Sequence, residues 1–313
     1  MKKIFTLFLT ALLLAAAFGA EKKPLRVLIV GNSFSVSVMR ELPNIVDAQQ
    51  EHALDITSLY IGGCSLERHV REYEKAVKDP AHRPYSQTHY ITGQGRLPRV
   101  MGNLIDVLAA GKYDIVTIQQ ASPKSFDLKS WEPWGDRLVA IIREKQPQAK
   151  LVLHQTWSYR LGTPKMKEWG FDQRGMFEQV KKVYSDRAAH FGAKIIPMGE
   201  AVQIFRTRTV PSELKKLPKE ELDKYTRPRR PPFRGDVVGS YRWINKRKLK
   251  KFVLTYDNTH LNPLGEYLQG CVWFGFLFGA DVTKLTYQPK YLKPGEGELL
   301  RQCAADALAG KYE

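Results

Sequence analysis

Five short runs rich in Leu, Ile and Val punctuate the chain, and between them apolar positions recur at helical spacing. Leu25–Val30, Leu54–Tyr60, Tyr113–Gln119, Leu151–Thr156 and Lys194–Met198 are too short for helices and lack the alternation of a half-solvated strand. Such runs predict strands buried on both faces, as in parallel sheets. Helical periodicity fills Ser37–Gln49, Leu66–Val77, Leu97–Ala110, Trp134–Lys145 and Arg174–Phe191. A last helix is predicted from Asn262-Pro263, a cap and first-turn pair, to Gly279. Strands alternating with helices predict a flavodoxin-like three-layer α/β/α sandwich around a central five-stranded parallel sheet. Ligands of such sheets bind beyond the carboxyl ends of the strands.

The two ends of the pattern differ from this body. Lys2 and Lys3 precede an apolar stretch, Phe5 to Phe18, with small residues Ala17 and Gly19 at its exit. That is the form of a secretory signal peptide over residues 1–19, predicting an exported, secreted or periplasmic protein. Residues 24–313 then form a single domain. No later run approaches the roughly 18 apolar residues of a membrane helix, so no stable membrane insertion is expected. The net charge is +17, and residues 206–251 hold sixteen Lys/Arg against five Asp/Glu, a local net of +11. With five prolines and little helical periodicity beyond Ser212–Lys224, this segment reads as a basic, solvated insertion. Its charge would suit an anionic polymer; nucleic acid is not expected of an exported protein.

The three cysteines, Cys64, Cys271 and Cys303, make no framework and leave room for one bridge of unspecified pairing. With no C-x-x-C pair and no trusted ligand spacing among the histidines, neither a metal nor an organic cofactor is expected. Nothing in the sequence sets an oligomeric state.

Two short stretches carry chemistry. Gly31-Asn32-Ser33 follows the first strand directly, where Gly31 permits a sharp turn and Ser33 would stand at the carboxyl edge of the sheet. A plain helix-capping serine is the competing reading of that position. Asp257-Asn258-Thr259-His260 has a spacing that lets the carboxylate orient one ring nitrogen while the other takes a proton from a hydroxyl.

Together these stretches resemble the SGNH, or GDSL-like, hydrolases, over about residues 24–285. In that family a Gly-Asp-Ser or Gly-Asn-Ser turn after the first strand carries the nucleophile, and an Asp-x-x-His pair lies near the C-terminus. The resemblance implies Ser33 as nucleophile, His260 as general base and Asp257 as its orienter. It implies an oxyanion hole built from the N–H of Ser33, the N–H of Gly63 in Ile61-Gly62-Gly63-Cys64-Ser65, and a side-chain amide. The family's third block is usually Gly-x-Asn-Asp. Here Ile118-Gln119-Gln120-Ala121-Ser122 stands instead, as in some secreted bacterial SGNH-like proteins, so Gln119 or Gln120 is the expected donor.

Gln155 and Trp157, at the end of the fourth strand, are expected to line a sugar-binding pocket, with a core tryptophan as the competing reading. The implied activity is a serine esterase that removes acyl groups, most simply acetyl, from a small-molecule or polysaccharide ester. Two other readings stand beside it. One is a lipid esterase on the same residues. The other is a noncatalytic binder of anionic glycans, weakened at the Gln119/Gln120 donor. An α/β-hydrolase elbow would need glycine where Ser35 stands.

Overall fold

The structure, a computed structural model, describes residues 22–246 and 250–312. The expected leader and residues 247–249, with most of the second basic cluster, lie outside the described residues.

Strands β1 (Leu25–Gly31), β2 (Leu54–Tyr60), β6 (Ile115–Ile118), β7 (Lys150–His154) and β8 (Lys194–Ile196) form a parallel sheet in the order β2-β1-β6-β7-β8. All five ends point to one edge, with Gly31 beside Tyr60, Val30 beside Ile118, and His154 beside Ile196. The strands are mostly apolar because helices cover both faces. Helices α2 (Val38–Ala48), α6 (Met198–Arg208), α7 (Pro263–Phe278) and α8 (Glu296–Leu308) pack against one another in one layer. Helices α3 (Leu66–Lys78), α4 (Trp134–Lys145) and α5 (Gln173–Phe191) pack across the other. Helix α7 runs from the Asn262 cap to Gly279, whose φ of 64° ends it. Residues 33–36 form a short helix, α1.

Three expectations are corrected. Leu97–Ala110 is not one helix: Val100–Gly102 is a strand, β5, and only Leu104–Ala109 is helical, capped by Asn103. The sheet therefore has eight strands, because β3 (Tyr85–Ile91), β4 (Gly95–Arg96) and β5 extend the β2 edge antiparallel. The basic segment is not a loop throughout. Val238–Lys246 is strand β9 and pairs antiparallel with β10, Lys251–Leu261. Its root is buried, because Arg206 forms an ion pair with Asp236 in which both side chains are almost wholly enclosed. All three cysteines are free and buried, so no bridge forms.

Candidate active site

Ser33 reaches the sheet edge because β1 ends at Gly31 and the chain turns at once into α1. A Cβ on Gly31 would lie 2.0 Å from Ser35 Oγ, so any side chain there would force Ser35 to move. Asn32 is the residue that caps α1. Its Oδ1 accepts from the Phe34 N–H at 3.0 Å, and its Nδ2 donates to the Cys64 carbonyl at 2.9 Å. The Ser33 hydroxyl is thus left free of capping duty.

The opposite side of the site is a bulge in β10. Asp257 pairs with Ser240 and Leu261 with Val238, so four steps along β10 match two along β9. Residues inside such a bulge lose their ladder partners and are re-aimed, a device frequent beside functional sites. Here other groups claim the carbonyls. Arg160 N–H donates to Asn258 O at 3.0 Å, the Trp157 indole N–H to Thr259 O at 3.0 Å, and Arg242 Nη2 to Leu261 O.

The bulge brings His260 to Ser33. His260 Nε2 lies 2.8 Å from Ser33 Oγ, and His260 Nδ1 lies 2.8 Å from Asp257 Oδ2. Asp257 Oδ1 accepts the N–H groups of Thr259 and His260, both at 3.0 Å. Burial alone would raise the Asp257 carboxyl. The bond and charge of His260, the Arg242 guanidinium and the Thr259 N–H outweigh it and hold the group well below the usual carboxylate range. With Asp257 ionised, Nδ1–H donates to it and the Nε2 lone pair faces the hydroxyl. A hydroxyl so placed can lose its proton to the ring as it attacks an electrophile.

The loop after β2 faces the same cleft. Cys64 N–H donates to Ile61 O at 3.2 Å, closing a turn whose third residue, Gly63, sits at φ 62°. The N–H groups of Gly62 and Gly63 are not used by that turn. Gly62 lines the cleft, and both glycines are exposed.

Four expected residues stand elsewhere than predicted. Gln119 is buried, its Nε2 donating to Asn32 Oδ1 at 2.6 Å and its Oε1 accepting from His154 Nδ1 at 2.9 Å. Gln120 is buried too; its Nε2 donates to Ser130 O at 2.8 Å, and its Oε1 accepts from Leu66 N–H and Ala121 N–H. Neither amide is free to face an oxyanion. Gln155 is fully buried, and its Oε1 accepts the N–H of Gly199 and Glu200 at the start of α6. Trp157 is 1% exposed and stacks on Phe34 at 4.1 Å. It braces the residue after Ser33 and the residue before His260 rather than lining a pocket. The thiol of Cys64 is buried and pushed up to about 12, so it is no nucleophile at neutral pH.

The cleft, about 400 Å³, is lined by Ser33, Tyr60, Gly62, Asp257 and His260 together with Arg40, Arg242, Trp243 and Glu266. Sequence reasoning missed Tyr60 and the last four. Arg242 and Trp243 come from β9, which was read as insertion, and only its pairing with β10 could have revealed them. Arg40 Nε lies 3.2 Å from Glu266 Oε1, and burial raises the Glu266 carboxyl against the pull of Arg40 and Arg242. A larger cleft, about 910 Å³, opens at the opposite edge of the sheet beside Ile115, Lys150 and Lys194, and holds none of these groups. Among the described residues no cluster of three or more His, Cys, Asp or Glu could hold a metal, and no helix is long and apolar enough to cross a membrane.

Among solved structures, a DUF4886 family protein from Bacteroides uniformis is similar over 92% of this chain and 95% of its own, with 27% identity and a TM-score of 0.71. Structural neighbours also include a candidate SGNH hydrolase from Slackia heliotrinireducens, at 18% identity and TM-score 0.45 over 80% of this chain and 97% of that one. A candidate GDSL-like lipase from Parabacteroides merdae shows 12% identity and TM-score 0.45 over 83% and 98%. No curated protein matches the chain. The model of the domain of unknown function DUF4886 matches residues 26–219, and the chain belongs to that family.

Proposed function

We propose that this chain is an exported serine esterase of the SGNH type, removing acyl groups, most simply acetyl, from a carbohydrate. The observation that carries the reading is one continuous chain of hydrogen bonds, Ser33 Oγ to His260 Nε2 and His260 Nδ1 to Asp257, each 2.8 Å, open to a cleft. Ser33 Oγ attacks the ester carbonyl while His260 Nε2 takes its proton. The oxyanion rests on the N–H of Ser33 and of Gly62 or Gly63. Collapse expels the sugar oxygen, which receives the proton from His260 and leaves Ser33 acylated. Water then attacks the acyl group, again giving its proton to His260, and the acid departs as Ser33 Oγ takes that proton back. Asp257 stays ionised throughout and stabilises the imidazolium.

A leader over residues 1–19 accounts for the export, and residues 24–313 act as one domain. The tryptophan and tyrosine on the cleft wall, Trp243 and Tyr60, suit a sugar ring, since aromatic side chains present flat apolar faces. A second reading, a binder of anionic glycans that turns nothing over, draws on the loss of Gln119 and Gln120 as oxyanion donors. Losing one such donor typically costs about 10²–10³ in rate.

Hydrolysis of p-nitrophenyl acetate by the wild type and by Ser33→Ala decides between them. The expected fall in kcat is about 10³-fold or more. Equal rates would remove Ser33 from the chemistry. Glycan affinity without turnover across an ester panel would favour the binder.

A further inference from the structure

The carboxylate that faces His260 carries a second partner. Arg242 Nε lies 3.3 Å from Asp257 Oδ2 in an ion pair, beside the same oxygen that accepts from His260 Nδ1. Its Nη2 donates to the carbonyl of Leu261, and its Nε lies 3.4 Å from Ser240 Oγ. One guanidinium therefore grips the bulge at both ends, the side chain of Asp257 before His260 and the backbone immediately after it. The bulge has no ladder bonds of its own between Asp257 and Leu261. The Thr259 and His260 N–H groups hold Asp257 Oδ1, and the Arg242 guanidinium adds a hold on the Oδ2 side, the oxygen that orients the imidazole. A guanidinium suits this task because its donors lie in one rigid plane.

We propose that Arg242 is a positioning residue of the site, holding the Asp257 carboxylate and the Leu261 carbonyl so that His260 stays aimed at Ser33. The proposal rests on the esterase reading for its kinetic consequence, but its geometric content does not. The groups facing this constellation are Thr259 on its own strand, Ser33 and Arg40 from α1 and α2, Tyr60 from β2, and Glu266 from α7, with Tyr159 toward Asp257. Among them Arg242 is the cation paired with Asp257; the Arg40 guanidinium is paired with Glu266. Arg242 itself is about a quarter exposed, at the cleft wall, so a small guanidinium from solution can reach its place.

The experiment compares wild type, Arg242→Lys and Arg242→Ala on p-nitrophenyl acetate, and adds millimolar guanidinium to the alanine variant. Misplacing a catalytic group by an ångström can cost about 10²-fold, so Arg242→Ala is expected to lose kcat by roughly 10- to 100-fold with little change in KM. Guanidinium should restore a large part of that loss, and Arg242→Lys should fall between the two. A second readout needs no turnover: the low-field proton resonance of the His260 Nδ1–H, present in the wild type, should broaden or vanish in Arg242→Ala and return with guanidinium. Wild-type kcat in Arg242→Ala, or an unchanged low-field resonance, would overturn the proposal. A folded Arg242→Ala that is slow but deaf to guanidinium would overturn it as well. A wild type with no Ser33-dependent turnover would instead sink the esterase reading and leave the resonance to decide the role of Arg242.

Discussion

Gln119 spends both ends of its amide beneath the Ser33 turn, and that decides what its loss should do. Its N–H holds Asn32 Oδ1, its carbonyl holds His154 Nδ1–H, and the far nitrogen of His154 meets Gln269 Nε2 at 3.3 Å. Gln269 returns to the same turn, donating to Phe34 O at 2.9 Å and accepting from Ser37 Oγ at 2.6 Å. A buried polar chain thus links the floor of the cleft to α7. Gln119→Leu would strand the buried His154 Nδ1–H, costing about 1–3 kcal/mol, while Asn32 Oδ1 keeps the Phe34 N–H. The melting temperature should drop by roughly 2–8 °C, while kcat falls less than about tenfold because no oxyanion donor is lost. Calorimetry with steady-state kinetics checks this. A hundredfold loss of kcat at unchanged melting temperature would return Gln119 to the oxyanion hole. The meeting of Ser33, Asp257 and His260 was legible because each stands in a turn defined by a few neighbouring residues. Gln119, Gln120, Gln155 and Trp157 were placed on the right edge but the wrong side. Whether a residue just past a strand turns inward depends on its tertiary partners, here Asn32, Ser130, the α6 start and Phe34.

Among the elements, the β9–β10 hairpin is where charge misled and packing governs. Its residues look solvated by composition, yet its root is fastened to the core by two buried arginines. Arg160 donates to the carbonyls of Ser212, Phe233, Arg234, Val238 and Gly239 and to Ser212 Oγ. Arg206, at the end of α6, pairs with Asp236 at 3.0 Å and also donates to Ser158 and Tyr159. Removing one partner of a buried pair typically costs about 3–5 kcal/mol, because the other is left charged and unpaired. Arg206→Met should therefore destabilise the chain by that order and expose residues 212–239 to limited proteolysis. Arg206→Met/Asp236→Leu should regain much of the loss, since no charge is then stranded. Urea unfolding of both variants measures it; a double variant weaker than the single one would contradict the buried-pair account. The helices Trp134–Lys145 and Leu66–Lys78 were legible almost to the residue because one apolar stripe defines each, with a Ser65 cap at the start of the second. β3, β4 and β5 were not. Tyr85–Ile91 is polar at Ser86, Gln87, Thr88 and His89, which suits a partly covered antiparallel extension, not the continuous apolar run of a parallel strand.

For the whole molecule, the three-layer plan was readable because five buried strands and the helices between them repeat one pattern, and the right-handed crossover leaves few ways to connect it. The same burial fixes how the fold should respond to acid. His69 and His154 are both fully enclosed, the first beside Tyr85 and the second beneath the Ser33 turn. Burial, helped at His69 by Arg68, holds each down to about 3 in the folded chain against 6.5 ordinarily. The folded state therefore refuses protons that the unfolded chain accepts. Their neutral-pH stability is fully present above about pH 6.5 and is lost as pH falls from there toward 3. Each group contributes a slope of about 1.4 kcal/mol per pH unit within that window, so the pair approaches ~2.8. Asp257, held low, keeps its contribution until more acid conditions, when pH falls toward its folded-state value. Glu200 and Glu266, raised first by burial, bind protons more readily folded than unfolded and offset part of the slope just above their ordinary range. Urea unfolding at pH 7, 6 and 5 should show a loss of roughly 2–4 kcal/mol across the series. His69→Gln, which leaves the Ser33 turn untouched, should make that loss about half as steep. A stability that stays level from pH 7 to 5 would mean that the two rings gain protons without unfolding, and that the interior described here is open to water.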